Sequence, residues 1–514
     1  MTHMFFLADL VTPATNVTII LPELIVAAAG VAVMLYDSFF PKQRAVSGAI
    51  SLVGLAISGI LLAMLWGSDQ PATGWNGMIA HDNLRLSFSF VFLFVSAMTV
   101  LISTVWVERE NVPVGEYHAM LLFATFGMMM MSAGNDLVVI FLGLETLSIA
   151  TYVMAGLRKS DLKSNESAMK YFILGSFASA FLLYGMALIY GATGATGLTQ
   201  IAERVVNPNF PALLLVGGAM MIVGFGFKIA MAPFHVWTPD VYEGAPTPIT
   251  GFMATGPKAA AFASFMRVFV LGLPLIAGVQ ASAYLHQSWV TVLSILAMLT
   301  ITVGNVAAIL QDNVKRMLAY SSIAHAGYAL IGFVGAGMAT TTAERDAAIA
   351  AVAFYMLTYA ITSLGAFAII TLLAQKNDRR TDFEDFNGIG FKAPFLAFSL
   401  SLFMLSLLGM PLTAGFMGKI FVFAPALEAG NPLLTTLVVV AVVNTAISAY
   451  YYLRLIVVMF FRTRTTDWQA PKMPASMAAA IIITVIGVFY FGLFSDRVIE
   501  KLAQPVSAVS TAEK

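Results

Sequence analysis

What most constrains this chain is a succession of apolar runs, each about twenty residues long, separated by short polar or Gly/Pro-rich breaks. A helix of about 20 apolar residues, rising 1.5 Å per residue, matches the ~30 Å hydrocarbon core of a bilayer. Such runs centre near Ala27, Leu55, Leu93, Thr125, Leu147, Ser179, Met220, Ala260, Ala297, Ala329, Leu357, an interrupted stretch from Phe403 to Phe421, Val443 and Val485. Only 11% of the 514 residues are charged, against about 25% in globular chains, so most of the chain belongs in lipid. The expected fold is all-α and integral to the membrane, with about fourteen transmembrane helices.

Three function classes fall away at once. A net charge of zero gives no reason to expect a nucleic-acid partner. The absence of cysteine excludes disulfides, thiolate zinc sites and cysteine-held iron–sulfur clusters. No loop looks much longer than about 25 residues, which leaves no room for a soluble catalytic domain. The opening MTHMFFLADLVTPATN lacks the basic start of a signal peptide, so Leu21 to Asp37 is expected to stay as the first span.

Lysine and arginine outside the helices set the orientation. Loops after odd-numbered spans hold fifteen, among them Lys42, Arg109, Arg158, Lys315 and Arg464; those after even spans, with the tail, hold six, from Arg85 to Lys514. Basic loops stay inside, so both termini are expected outside. The segment QKNDRRTDFEDFNG, Gln375 to Gly388, has the densest mixed charge and suits a surface linker or a lateral amphipathic piece between two helix bundles.

Against this apolar background a few ionisable residues stand out. Lys228 lies in GFGFKIAMAPFHVWTPDVYEGAPTP, Gly224 to Pro248, where Pro233 is expected to stop the helix. A charge near the bilayer centre costs roughly 3 kcal/mol or more, so such residues face a bundle interior and mark ion or proton paths. Irregular backbone at that depth survives only where protein or a water-filled cavity covers it. Glu145 sits nine residues past Asp136, near mid-span, and is the natural opposite charge for Lys228. Burial works against both charges and an opposite charge within about 4–6 Å restores them, so small changes in separation can load or unload a proton; the ordinary alternative is a static buried ion pair. Lys258 follows Pro248 by ten residues, and Pro257 beside it is expected to distort the helix and free carbonyls for the ammonium.

Lys419 repeats the pattern. Gly415-Phe416-Met417-Gly418-Lys419-Ile420 echoes Gly224-Phe225-Gly226-Phe227-Lys228-Ile229, both reading GFxxKI, with Pro411 and Pro425 on either side. Matching Gly/Pro-interrupted spans in two halves point to inverted repeats with sites at mid-membrane. His325, inside its span, can donate and accept at once and so link the lysines of the two halves, although a lone helical histidine is ordinarily a hydrogen-bonded core residue. His235, beside Pro233, has a weaker claim. Lys170, six residues into its helix, either reaches the cytoplasmic face or feeds the relay from that side. Glu23, Arg267 and Arg454 are expected to reach helix ends. The histidines show no metal spacing, and the 29 methionines are packing residues.

With these residues in place, the chain resembles the antiporter-like membrane subunits of respiratory complex I, the proton-pumping NADH:quinone oxidoreductase. The likeness covers nearly all of it and is most specific in PFHVWTPDVYEGAPTPITGF (Pro233 to Phe252), NVKRMLAYSSIAHAGY (Asn313 to Tyr328) and GMPLTAGFMGKIF (Gly409 to Phe421). These runs are similar to the N-type branch, counterpart of mitochondrial subunit 2. The resemblance implies two inverted five-helix repeats with discontinuous helices, spanning 113–272 and 285–465, after N-terminal helices at 1–112 and before a last span and tail at 466–514. It implies a proton relay of Glu145, Lys228, Lys258, His325 and Lys419 carrying protons from cytoplasm to periplasm across a bacterial inner membrane. Other membrane subunits are implied as partners: an M-type neighbour, small K/J-type subunits and the lateral helix of the L-type subunit. No cofactor is expected in this chain; NADH, flavin, iron–sulfur clusters and quinone belong to other subunits. The rival expectations are an Mrp-type cation/proton antiporter subunit and an inert structural subunit.

Overall fold

A computed structural model of the protein describes residues 16–40, 43–66, 73–205, 210–273, 280–463 and 470–503. Lys42, Arg464 and Lys514 of the charge count, and both termini, lie outside the described residues. The helices are α1 (Val17–Phe39), α2 (Arg44–Leu65), α3 (Asn83–Glu110), α4 (Val114–Ala133), α5 (Leu137–Ala155), α6 (Leu162–Thr193), α7 (Leu198–Arg204), α8 (Pro211–Ile229), α9 (Thr238–Gly244) and α10 (Thr247–Met266). They continue as α11 (Gln280–Ile309), α12 (Val314–Met338), α13 (Thr342–Leu373), α14 (Ile389–Lys392), α15 (Pro394–Leu408), α16 (Ala414–Glu428), α17 (Pro432–Phe461), α18 (Ala475–Leu493) and α19 (Ser495–Ala503). Among the described residues eleven helices are long and apolar enough to cross a membrane; α4, α10 and the interrupted α15–α16 pair fill the remaining expected positions.

Helix starts follow local chemistry. Asp82, Asp136, Asp161 and Asn313 each accept a backbone N–H of the first turn, and Thr341 with Glu344 closes a capping box, satisfying donors that would otherwise be orphaned. Burial sorts the spans. The apolar windows of α12 and α13 are 94% buried, those of α2, α17 and α18 only 33%, so α12 and α13 form the centre while the others show lipid a face.

Two structural repeats are visible in matched contacts. Asp136 bridges Gly197 while Leu137 N–H donates to Thr196 O at 2.9 Å. Asn313 likewise bridges Asp382 while Val314 N–H donates to Thr381 O at 2.8 Å. Thus α5 corresponds to α12, and α6 to α13. The pairs stand at opposite ends of the bundle: Asn135 N–H bonds Met78 O just before α3, whereas Lys315 shares Asp378 with Arg109, in the last turn of α3. Some 28 residues of α3 separate these ends, about 40 Å at 1.5 Å each, so the second repeat is inverted relative to the first.

Several charges sit deeper than expected. Glu23 is fully buried against Arg85, its carboxylate accepting from Nη2 at 2.8 Å. Arg267, also buried, bonds both Asp82 oxygens at 2.7 and 2.8 Å. Neither reaches water at a helix end; each has a partner on another element that offsets part of the cost of burial. Arg454 alone behaves as expected, half-exposed beside Asp312. The charged segment after α13 does run along the surface, with Gln375, Lys376, Asn377, Arg379, Asp382 and Glu384 exposed, but Asp378 turns inward and is buried among Arg109, Arg158 and Lys315.

Candidate functional site

α8 ends at Ile229, four residues before Pro233, because Ala230 turns into the left-handed region at φ 62°. Met231 N–H then caps Gly226 O at 2.7 Å, and Trp237 Nε1 donates to Phe227 O at 3.0 Å. Lys228 therefore lies in the last helical turn of α8, where a cation complements the negative helix end. It is buried, with Nζ donating to Ser148 Oγ at 2.7 Å and lying 5.4 and 5.6 Å from the ring centroids of Tyr171 and Tyr152, within cation–π range.

Glu145 does not pair directly with Lys228. It accepts from Ser179 Oγ at 2.6 Å, and Ser148, one turn further along α5, takes the ammonium instead. A cavity of about 10 Å³, lined by Ser179, Leu182, Phe227 and Lys228 among others, touches the lysine and the serine that holds Glu145. That is on the order of one water molecule.

Lys258 is also buried, but Pro257 neither breaks α10 nor supplies the expected carbonyls. The ammonium is solvated across the helix interface by Ser322 of α12, through its carbonyl at 2.8 Å and its hydroxyl. One turn along, His325 Nδ1 meets Tyr355 Oη at 2.6 Å and Nε2 meets Tyr452 Oη at 3.1 Å; Tyr452 Oη also meets Ser321 Oγ at 2.5 Å. Hydroxyls donate or accept, so this cage accommodates either tautomer of the imidazole.

In the second break Gly409 takes φ 94° and ends α15, leaving Leu408 O without a helical donor. Lys419, on α16, donates to that carbonyl at 2.8 Å and lies 4.7 Å from the Tyr328 ring centroid. Tyr328, three residues beyond His325, is held by Asn305 and Thr445 at 3.3 Å each. Lys258, Ser322, His325 with its tyrosines, Tyr328 and Lys419 thus form one buried polar chain along α12. The GFxxKI echo does not mark equivalent places: Lys228 precedes its break and Lys419 follows its own. The α5/α12 caps give the better register. Nine residues past Asp136 and Asn313 stand Glu145 and Ser322; twelve past stand Ser148 and His325.

Lys170 is half-buried in a charged pocket of about 150 Å³, bonded to Asp240 at 2.7 Å and to Glu166 at 2.6 Å, with Arg316 bridging Asp240 and Glu243. His235 lies half-buried in the turn after α8, with Nδ1 unpartnered among the described residues. Sequence reasoning missed Ser148, Ser322, Tyr328, Tyr355 and Tyr452; hydroxyls on otherwise apolar helices were the available signal. It also missed Asp378. Burial by itself would raise that carboxyl, but Lys315, Arg158 and Arg109, with Thr247 N–H, outweigh it and hold Asp378 below the ordinary aspartate value. Among the described residues no cluster of His, Asp or Glu is arranged to hold a metal ion.

Residues 134–448 match the family described as NADH:quinone oxidoreductase/Mrp antiporter, TM. The chain is 43% identical over 497 residues to NADH-quinone oxidoreductase subunit N of Trichlorobacter lovleyi, covering 96% of this chain and 98% of that one. It superposes on a chain of respiratory complex I from Thermus thermophilus with bound aureothin at 34% identity and a TM-score of 0.75, covering 94% of this chain and 99% of that one. A chain of the Mrp complex from Dietzia sp. shares the fold at a TM-score of 0.80 but only 18% identity, covering 95% of this chain and 97% of that one.

Proposed function

As a member of the NADH:quinone oxidoreductase/Mrp antiporter family, and within it of the subunit N group of NADH-quinone oxidoreductases, the chain belongs to a membrane-bound oxidoreductase assembly, and we propose that it is a proton-translocating subunit of that assembly with no redox cofactor of its own. The observation that supports this most is the buried chain running from Lys258 through Ser322, His325 and Tyr328 to Lys419, beside the separate Lys228–Ser148 and Glu145–Ser179 pairs of the first half. Packing gives no reason for three lysines at these depths, and each is held by hydroxyl or carbonyl oxygens, groups that solvate an ammonium without fixing its charge as a carboxylate would.

On this reading a proton from the cytoplasmic side passes the Lys170–Asp240 pocket, is held at Lys228 near Glu145, moves by way of Lys258 and His325 to Lys419, and leaves on the far side of an inner membrane. Quinone reduction elsewhere in the complex drives the transfer by altering hydration and charge separation along the axis. Release against a membrane potential costs about 2.3 kcal/mol per charge per 100 mV, comparable with a change of a couple of units in a lysine's proton affinity at about 1.36 kcal/mol each. Neighbouring M-type and small membrane subunits, and the L-type lateral helix, are the partners this reading requires.

The test is Lys228→Ala in the assembled complex, reconstituted in vesicles, with NADH:quinone turnover and lumen acidification followed together. Normal assembly with both signals lost places the lysine on a coupled proton path. Near-wild-type values for both mean that the buried lysine is structural.

A further inference from the structure

Where α2 ends and α3 begins, two cavities touch. One, of about 420 Å³, is lined by His81, Asp82, Asn135, Arg267 and Arg345 among others; the second, of about 780 Å³, is walled by Phe90, Phe94, Leu357, Ile361 and Phe491, with Lys501 of α19 at its mouth. Ser87, Ala353 and Leu502 line both, so a polar chamber opens into an apolar slot.

Depth and charge indicate what fits. The polar chamber lies level with the starts of α3 and α13, marked by their caps Asp82 and Thr341. The slot runs inward along α13 from Ala353 to Ile361, about 12 Å at 1.5 Å per residue. Trp66, which also lines the slot, stands at the last turn of α2, the level where aromatic residues mark the membrane interface. In the chamber both carboxylates are already engaged, Asp82 by Arg267 at 2.7 and 2.8 Å and Asp346 by Arg345 at 3.3 Å. Two arginines and Lys501 against two aspartates leave one positive charge over. His81 is only 3% exposed, and both its ring nitrogens are unpartnered among the described residues. A buried imidazole in this state calls for a ligand oxygen or water.

We propose that this paired cavity is a specific site for one phospholipid, with its phosphate between His81, Arg345 and Lys501 and an acyl chain in the slot between α3, α13 and α18. Ligand sites of this kind are largely apolar, a few hundred to about 1,000 Å³ in size, with few convergent polar groups. The lipid would fasten the N-terminal helices α2 and α3 to α13, the central helix of the second repeat. None of the residues involved belongs to the proposed relay, so the inference stands or falls apart from the proton reading.

The test uses the intact complex. A photoreactive side chain at Val498, in the slot, is compared with one at Val443, on a lipid-facing surface, before and after repeated detergent exchange, and lipid adducts on the peptides are identified by mass spectrometry. The expected result is a phospholipid adduct that survives exchange at Val498 and is lost at Val443. Lys501→Glu should lower the surviving adduct about fivefold, what one basic residue contributes at an anionic lipid surface, and His81→Ala should lower it in the same direction. Equal loss at both positions overturns the site, as does an adduct to a quinone or to another subunit at Val498. Both variants are judged on complexes that assemble normally, and an adduct insensitive to both also overturns it.

Discussion

The two broken helices solve one problem in opposite ways. In the first half the lysine lies before the break, on the last turn of α8, and is met from another helix by Ser148 and two tyrosine rings. In the second half the lysine lies after the break, on α16, and reaches back to the carbonyl that ended α15. Ser148 lies on a helix distant in sequence, whereas the Leu408 carbonyl is tied to Lys419 by the short loop that breaks their own span. The first lysine's partner is thus set by packing between helices distant in sequence, the second's by the break itself.

That comparison can be broken in several places. The largest effect is expected at Asp378, which gathers Arg158 from the first half and Lys315 from the second. Asp378→Asn leaves buried cations without their counter-charge, and losses of about 3–5 kcal/mol are typical of such breaks. Because the folded chain holds this carboxyl below the 3.8 of a free aspartate, its contribution is complete above about pH 4 and fades as the pH falls through the folded value. The variant complex should melt earlier at pH 7 and lose less stability on acidification than wild type; equal melting curves at both pH values would mean that the halves are held together elsewhere.

Next comes Lys258, where the first half hands over to α12. Lys258→Met should cut NADH-driven acidification about a hundredfold, the scale of a positioned proton-transfer group, and proton flux in vesicles measures it. Ser148→Ala tests the first half: losing a hydrogen bond to a charged group is worth about 1.5–3 kcal/mol, so proton delivery should drop roughly tenfold or more. Ser148→Thr should restore it, because the hydroxyl is kept; no rescue would point to packing. The breaks themselves should respond in opposite senses. Ala230→Gly relieves a left-handed alanine and should stabilise, while Gly409→Ala imposes one and brings a Cβ to 3.3 Å of the Lys419 side chain; each is worth about 1 kcal/mol, read as shifts in the thermal midpoint of the complex. The smallest effect is expected at Lys170, whose half-exposed ion pairs contribute about 0–1 kcal/mol. Lys170→Gln should leave the midpoint almost unchanged, and a large fall in proton flux with it would place Lys170 on the entry path.

Much of this was legible in the chain itself. Hydropathy alone locates about fourteen spans, eleven of which are long and apolar enough to cross a membrane among the described residues, since lipid demands a closed helix wherever about twenty apolar residues run together. Buried lysines also announce themselves, because a charge in hydrocarbon needs a reason. Their partners do not. Glu145 looked like the counter-charge of Lys228, and Pro257 like the source of carbonyls for Lys258, yet Ser148 and Ser322 hold these ammoniums, from helices 80 and 64 residues away in sequence. Serines on apolar helices carry no signal until packing brings a charge to them. The GFxxKI echo found the two broken spans but not equivalent places for their lysines, because it matched local composition, whereas the register rests on the Asp136 and Asn313 caps and their bridges. Sequence by itself determined which residues must be in the membrane and which charges are out of place there. Tertiary structure decided which oxygens meet those charges and on which side of each break a lysine stands, because hydrogen bonds a few ångströms long depend on how helices distant in sequence pack.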